Sequence, residues 1–184
     1  MEAAGWQIAR FVDRPAAVVC GVGNNAGDGL AAARHLHRWG LLAGVACVDP
    51  DRLHGAAARQ LQTLLKLGVK VSSTGVAAGD AIVDAIFGTG LSRPPQGNFA
   101  EWIEVINDSK GHSTIISVDV PSGLDAESGV AYSPIVDADV TVTLGLPKPG
   151  LRGEVVVVDI GIPTEAYAAL GIEIPEDARQ LIRR

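Results

Sequence analysis

Short apolar runs alternate with amphipathic stretches along most of the chain. Seven runs rich in aliphatic residues have the length of strands: residues 16–21, 44–49, 69–72, 81–87, 114–119, 140–144 and 155–160. Helical spacing of apolar residues is found at residues 1–13, 28–39, 54–67 and 99–108, and a short helix is expected after residue 164. Because strands and helices alternate, the pattern predicts an α/β domain around a mostly parallel central sheet.

The composition supports a single domain of this kind over residues 1–184. Hydrophobic residues make up 47% of the chain and aromatic residues only 4%. The core must therefore come mainly from Val, Ile, Leu and Ala, as in parallel strands buried between helices. No internal repeat, low-complexity tract or linker divides the sequence.

Charge and cysteine content argue against several other classes of protein. The formal net charge is −6 and no long basic run occurs, which disfavours nonspecific nucleic-acid binding. No stretch approaches the roughly 20 apolar residues of a membrane span, and the N-terminus lacks the pattern of a signal peptide. Cys20 and Cys47 lie in apolar runs, so we predict buried thiols rather than a disulfide or a zinc site. We expect a cytoplasmic protein that binds neither nucleic acid nor membrane.

A glycine-rich segment, residues 21–29, follows the first strand and leads into the first long helix. Its Gly21, Gly23 and Ala26 match the pattern G-x-G-x-x-[GA] of dinucleotide-binding turns. Asp49, near the end of the second strand, could then bind a ribose. On that fingerprint alone, the segment indicates an NAD-dependent oxidoreductase.

Three polar residues in the same turn weaken the oxidoreductase hypothesis. Asn24, Asn25 and Asp28 lie where a pyrophosphate would sit, and a carboxylate there would repel it and occupy the favourable end of the helix dipole. Such a turn is more typical of a site for a sugar, a cation or a reacting group. The structural alternative is that Asn25 or Asp28 only caps the helix.

Two later loops also carry candidate chemistry. Asp84 lies inside an apolar strand and needs partners, either a bound cation or backbone amides. The loop that follows is rich in small residues and includes Arg93, which could grip a phosphate or simply be solvated. Asp119 lies where another strand gives way to a turn, a usual place for catalytic groups in open α/β sheets, with capping of the turn as the alternative.

Oxygen atoms from three separate strand ends could meet in one place. If the strands of Asn25, Asp84 and Ser122 are neighbours, their side chains would suit a hard monovalent cation, since no sulfur or imidazole is supplied. The four histidines, by contrast, are expected at the surface or with structural partners.

Four stretches together resemble the YjeF N-terminal domain family, whose enzymes are NAD(P)H-hydrate epimerases. They are residues 23–29, 84–91, 118–125 and 141–144 with Pro147 and Lys148, in the family's order. The resemblance implies a three-layer α/β/α, Rossmann-like fold, a potassium ion held by Asn25, Asp84 and Ser122, and a homodimer. The implied substrate contacts are Asn24, Asn25, Ala26, Gly27, Asp28, Gly88, Thr89, Gly90, Leu91, Ser92, Arg93, Pro94 and Asp119.

The resemblance implies interconversion of the R and S epimers at C6 of NADHX and NADPHX, as part of nicotinamide nucleotide repair. We expect Asp119 to be the acid/base group and Asp28 to stabilise a cationic intermediate or orient water. A separate ADP- or ATP-dependent dehydratase would be the functional partner. The alternatives are a noncatalytic nucleotide-binding or scaffold member of the same fold, and the oxidoreductase.

One departure concerns the start of the chain. Residues 1–5 resemble the family's Met-Glu-Asn-Ala-Gly segment, with Ala3 in place of Asn, and family members usually carry a helical stretch before it. We therefore expect a domain that is short at its N-terminus.

Overall fold

Seven strands and five α-helices alternate along the chain in the computed structural model, which describes residues 1–76 and 78–174. The elements are α1 (Glu2–Ala9), β1 (Ala16–Cys20), α2 (Asn24–Trp39), β2 (Leu42–Cys47), a 3-10 turn (Pro50–Arg52), α3 (Gly55–Lys66), β3 (Val71–Ser72), β4 (Ala81–Ala85), α4 (Asn98–Asp108), β5 (Thr114–Val118), β6 (Val140–Leu144), β7 (Glu154–Val158) and α5 (Thr164–Ala169). The helix predicted after residue 164 is α5.

All seven strands join one sheet in the order β3-β2-β1-β4-β5-β6-β7, and every strand pair is parallel. The predicted α/β fold is confirmed, and the sheet is wholly rather than mostly parallel. Strand order reverses between β1 and β4, because β1 pairs with β2 on one side and with β4 on the other. Loops that leave these two strands diverge to opposite faces, which opens a crevice at their carboxyl ends.

Two apolar layers hold helices against the faces of the sheet. One contains Ile8 of α1, Leu30 and Leu36 of α2, and Leu64 of α3, packed against alternate strand residues. The other contains Trp102, Ile103 and Ile106 of α4, together with the remaining strand residues. Cys20 and Cys47 are free and buried on paired strands, as predicted.

Helix α2 begins earlier than the sequence pattern predicts. It begins at Asn24 instead of near Asp28, and Gly23 is its N-cap with extended backbone. Asn and Gly are weak helix formers, but tertiary packing outweighs that preference here. A Cβ atom at Gly29 would lie 2.4 Å from Ala85 Cβ, so only glycine lets α2 lie this close to β4. Helix α1 ends at Ala9, four residues before the predicted end at residue 13, and the other boundaries differ by one or two residues, mainly because strands end earlier.

Candidate active site

The carboxyl ends of β1 and β4 and the first residue after β5 enclose a cavity of about 390 Å³. Its lining residues come from the three loops that the sequence pattern singled out. They are Val22, Gly23, Asn24, Asn25 and Asp28 after β1, Ile86, Phe87, Gly88, Thr89, Gly90 and Leu91 after β4, and Asp119 after β5. The cavity therefore lies at the reversal of strand order, where open α/β sheets bind their ligands.

The first loop owes its shape to backbone packing. A Cβ atom at Gly21 would lie 2.1 Å from the carbonyl oxygen of Ile86, so only glycine at this position lets the backbones that follow β1 and β4 pass so close to each other. Helix α2 then starts with no side-chain cap, which leaves its first amides without helical partners. Asn25 and Asp28 are in the helix and do not cap it, so their polar groups remain available for other contacts.

Asn25, Asp84 and Ser122 are brought together around the backbone of Phe87. Asn25 Nδ2 donates to the carbonyl oxygen of Phe87 at 2.8 Å, and the Phe87 amide donates to Ser122 Oγ at 2.8 Å. The hydroxyl of Ser122 in turn donates to Asp84 Oδ1 at 2.6 Å. One residue of the β4 loop thus links side chains from the other two loops.

Asp84 is fully buried and is surrounded by hydrogen-bond donors. Its carboxylate accepts four hydrogen bonds, from Ile86 N, Ser117 Oγ, Ser122 N and Ser122 Oγ, at 2.6–3.2 Å. No ion pair in the described part of the chain includes Asp84. Burial raises the pKa of Asp84, against the opposing effect of the hydrogen bonds from Ser122, Ile86 and Ser117. A charged Asp84 therefore lacks a positive partner.

These residues fit a hard cation better than a transition metal. Across residues 1–76 and 78–174, no group of three His, Cys, Asp or Glu side chains could hold a metal ion. Asn25 Oδ1 accepts no hydrogen bond from those residues, and a hydroxyl such as that of Ser122 has two acceptor lone pairs, of which the Phe87 amide uses one. Asp84 Oδ1 lies 2.6 Å from Ser122 Oγ, so a monovalent cation there would supply the positive charge that an ionised Asp84 lacks.

Asp119 is held firmly through one of its two carboxylate oxygens. Its backbone is in the left-handed region with φ 68, and its amide donates to the carbonyl oxygen of Val142 at 2.8 Å. Oδ1 accepts from Leu144 N at 3.0 Å, from Thr143 Oγ1 at 3.4 Å and from Lys148 Nζ at 2.5 Å. Oδ2 accepts no hydrogen bond from the residues described, so it is available to a molecule in the cavity.

Asp28 is a second carboxylate on the same cavity, and its surroundings differ from those of Asp119. Burial raises the pKa of Asp28 to about 6, and the charge of Asp119 adds to the increase. The amino group of Met1, 3.5 Å from Asp28 Oδ1, acts in the opposite direction. A carboxyl group with this pKa can donate and accept a proton near neutral pH.

A family comparison agrees with this geometry. The model of the family described as "YjeF-related protein N-terminus" matches residues 1–150. The chain belongs to this family. The resemblance inferred from the four sequence stretches is thereby confirmed.

Several relatives of this YjeF-related chain are known by name. A Thermofilum pendens protein named bifunctional NAD(P)H-hydrate repair enzyme Nnr is 42% identical over 89% of the chain and 36% of its own length. A Rhodopirellula baltica protein named NAD(P)H-hydrate epimerase is 34% identical over 90% of the chain and 75% of its own length. The chain thus spans little more than a third of bifunctional relatives such as the first.

The crystal structure of the yeast protein ynu0 is similar in fold. It superimposes with a TM-score of 0.76 at 28% sequence identity, covering 94% of this chain and 83% of the yeast chain. The YjeF-related chain therefore shares its architecture with an experimentally determined structure.

Not every predicted substrate contact of the YjeF-related chain lines the cavity. Ala26 and Gly27 are buried, and a Cβ atom at Gly27 would meet Met1 and Ala57 instead. Ser92, Arg93 and Pro94 are exposed on the loop beyond the cavity. The other predicted residues, Asn24, Asn25, Asp28, Gly88, Thr89, Gly90, Leu91 and Asp119, do line it.

Two contributions to the site were missed by the sequence analysis. Lys148 was noted only as part of a matching stretch, yet its ammonium forms an ion pair with Asp119. Phe87 was placed at the end of a strand, but its backbone links Asn25 to Ser122. No periodicity signals either contact, because both depend on how loops approach one another in space.

The oxidoreductase hypothesis gains nothing from the structure. Asp49, the candidate ribose ligand, does not line the cavity. Its Oδ2 lies 4.0 Å from Arg52 Nε at the surface. Asp28 instead places a carboxylate on the wall where the fingerprint would expect a pyrophosphate.

Among the described helices, none has the length and apolar character needed to cross a membrane.

Proposed function

We propose that the chain is an NAD(P)H-hydrate epimerase, which interconverts the R and S epimers at C6 of NADHX and NADPHX. The observation that carries the proposal is the pair of carboxylates, Asp28 and Asp119, on one cavity. The name of the Rhodopirellula baltica relative, NAD(P)H-hydrate epimerase, supplies the substrate class. The proposal extends that activity to this chain.

The chemistry of the substrate explains why two carboxylates are useful. The hydrate carries a hydroxyl on C6, next to ring nitrogen N1. When the hydroxyl accepts a proton, the C6–O bond breaks, water leaves and the N1 lone pair forms a double bond to C6. Water then adds to the opposite face of the planar cation and returns a proton to the protein. No electrons are transferred to or from another molecule.

The environments of the two carboxylates suggest their roles. Asp28, with its pKa raised to about 6 by burial, suits the group that donates and recovers the proton. Asp119, in its ion pair with Lys148, suits a fixed negative charge that stabilises the flat cation through Oδ2. This assignment exchanges the roles expected from the sequence, while Asp119 remains a catalytic residue.

Potassium belongs to the proposal as the cofactor. Asn25, Asp84 and Ser122 would hold it, with the full charge supplied by buried Asp84. When bound, the ion supplies positive charge that orders the three loops. Asn25 is on the first turn of α2 and Ser122 on the loop after β5, so fixing both would fix the walls that carry Asp28 and Asp119.

The remaining contacts of a dinucleotide are assigned to the β4 loop. The cavity of about 390 Å³ suits the hydrated nicotinamide and its sugar, and the rest of the molecule must extend beyond it. Arg93 forms no ion pair with other described residues. It lies on the exposed part of the loop, two residues after Leu91. We place the phosphates on this loop, with Arg93 as the charged ligand.

The proposal also covers the setting in which the protein acts. Epimerisation supplies the epimer that an ADP- or ATP-dependent dehydratase consumes, in keeping with relatives named bifunctional repair enzymes. A homodimer and a cytoplasmic location complete the proposal. Sedimentation of the purified chain tests the dimer directly.

The decisive experiment follows the R epimer of NADHX by chromatography with and without the protein. We expect conversion to a mixture of R and S at a rate well above the uncatalysed rate, and no appearance of absorbance at 340 nm. Nucleotide binding without conversion would favour the noncatalytic alternative, and NAD-dependent absorbance changes with other substrates would favour the oxidoreductase.

A salt exchange tests the cofactor. After exhaustive dialysis, potassium chloride should restore faster epimerisation and a higher melting temperature than sodium chloride at equal ionic strength. Equal rates and equal melting temperatures in the two salts would contradict a potassium site.

A further inference from the structure

Lys148 lies four residues beyond the end of β6, and its side chain returns to that strand end. Its Nζ donates to the carbonyl oxygen of Leu144 at 2.7 Å, to Thr143 Oγ1 at 3.1 Å and to Asp119 Oδ1 at 2.5 Å. An ammonium group has three donors, and these three acceptors use all of them. The side chain is only 16% exposed, so the contacts replace most of its hydration.

The contacts of Lys148 are concentrated on one side of the Asp119 carboxylate. Leu144 N and Thr143 Oγ1 also donate to Oδ1, so three donors from β6 and its loop meet at a single oxygen. Lys148 itself does not line the cavity, whereas Asp119 does. Lys148 therefore contacts Asp119 through Oδ1 and does not itself line the cavity.

We propose that Lys148 is a positioning residue for epimerisation, which anchors Asp119 to β6 through Oδ1 so that Oδ2 alone faces C6 of the substrate. The inference rests on the proposed function and adds a role for a residue outside the cavity. Without the ammonium, the carboxylate could rotate toward solvent, and its charge would lie uncompensated beside Asp28.

The geometry gives separate expectations for three variants. Lys148→Met fills similar space without charge and should lower kcat about 10- to 100-fold with KM changed less than about threefold. Lys148→Arg keeps the charge but replaces a compact ammonium with a planar fork, so kcat should fall by a smaller factor of about five. Ethylammonium should restore activity to Lys148→Ala in a saturable way, which a lysine needed only for folding would not show.

A double mutant tests whether Lys148 acts through Asp119. If it does, Lys148→Met should slow Asp119→Asn by less than about twofold, because the anchored group is already gone. Lys110→Met is the matched control, since Lys110 forms an ion pair with Asp137 at 2.6 Å outside the cavity. That variant should retain the wild-type kcat.

The outcomes separate this inference from the proposed function. No conversion by the wild-type protein would refute the epimerase proposal. A converting wild type with equally fast Lys148→Met, or losses that multiply in the double mutant, would overturn only the role of Lys148. If Lys148→Met fails to fold, the Arg variant decides: a lower kcat at unchanged KM supports the role, and an unchanged kcat overturns it.

Discussion

Replacement of Asp28 by asparagine should stabilise the protein at neutral pH while it impairs the proposed reaction. The side chain of Asp28 is only 14% exposed, and burial raises its pKa to about 6. Ionising a carboxyl group that is more acidic in the unfolded chain opposes folding. Each pKa unit corresponds to about 1.4 kcal/mol, so the penalty at neutral pH is roughly 3 kcal/mol.

The pH range of the effect follows from the direction of the pKa change. Below about pH 3 the carboxyl group is protonated in both the folded and the unfolded chain, so no penalty exists. As pH rises towards about 6, the unfolded chain releases the proton first and the folded state loses stability. Above about pH 7 both states are ionised and the penalty is complete.

Urea denaturation of wild type and Asp28→Asn at pH 3 and pH 8 measures this penalty. The free energies of unfolding should agree at pH 3, and the variant should be more stable by up to about 3 kcal/mol at pH 8. For a chain of this size the melting temperature should rise by roughly 6–12 °C. The exposed Asp51→Asn variant is the control and should differ from wild type by less than about 0.5 kcal/mol at either pH.

Two results would refute this reasoning. One is a stability difference that does not vary with pH, and the other is a variant no more stable than wild type at pH 8. Faster unfolding of Asp28→Asn at pH 8 would show that the amino group of Met1, 3.5 Å away, outweighs desolvation. The variant should also epimerise more slowly, because an amide cannot donate the proton assigned to Asp28.

Asp119→Asn should lower kcat about 10²- to 10³-fold, because the charge that stabilises the cation is lost, and keep the fold, since asparagine tolerates the left-handed backbone of this position; turnover near that of wild type would remove Asp119 from the mechanism. Ser122→Ala should destabilise by about 2–4 kcal/mol in urea, because the Phe87 amide and a buried carboxylate oxygen each lose a partner. Gly29→Ala should destabilise by about 1–3 kcal/mol, as the new Cβ would lie 2.4 Å from Ala85 Cβ.

The two stability predictions have their own controls. Ser109→Ala removes a hydroxyl that donates to the carbonyl oxygen of Val105 at the surface, and it should cost less than about 0.5 kcal/mol. If Ser109→Ala and Ser122→Ala lowered the free energy of unfolding equally, burial would not explain the expected cost of Ser122→Ala. Adding Ala85→Gly to Gly29→Ala removes the clashing methyl group. The free energy of unfolding of the double variant should therefore fall by less than the sum of the decreases for the two single variants.

The meeting of distant loops was predictable, whereas their detailed contacts were not. Parallel strands end at the same edge of a sheet, so the sequence placed Asn25, Asp84 and Ser122 at one edge and predicted that they meet if their strands are neighbours; the strand order β1-β4-β5 meets that condition. The early start of α2 was missed because Asn24, Asn25 and Gly27 are weak helix formers, and close packing of Gly27 against Met1 and Ala57 outweighs that preference.

Two features of the site could not be inferred from patterns. The position of Lys148 depends on how the loop after β6 folds back on its own strand, which no spacing of apolar residues encodes. The surroundings of Asp28 and Asp119 differ because of burial and one ion pair, and neither can be read from the sequence, so their roles could be assigned only from the three-dimensional structure. Both carboxylates were nevertheless identified as candidates from their places in the sequence.

The backbone link at Phe87 separates structural importance from residue identity. The amide and carbonyl of Phe87 make the two contacts, while its aromatic ring packs on Phe99 with centroids 5.1 Å apart. Any residue with a backbone N–H can provide the same link, and proline alone among the natural amino acids cannot. A survey of side chains would therefore overlook this position, although a single imino acid there would disconnect two walls of the cavity.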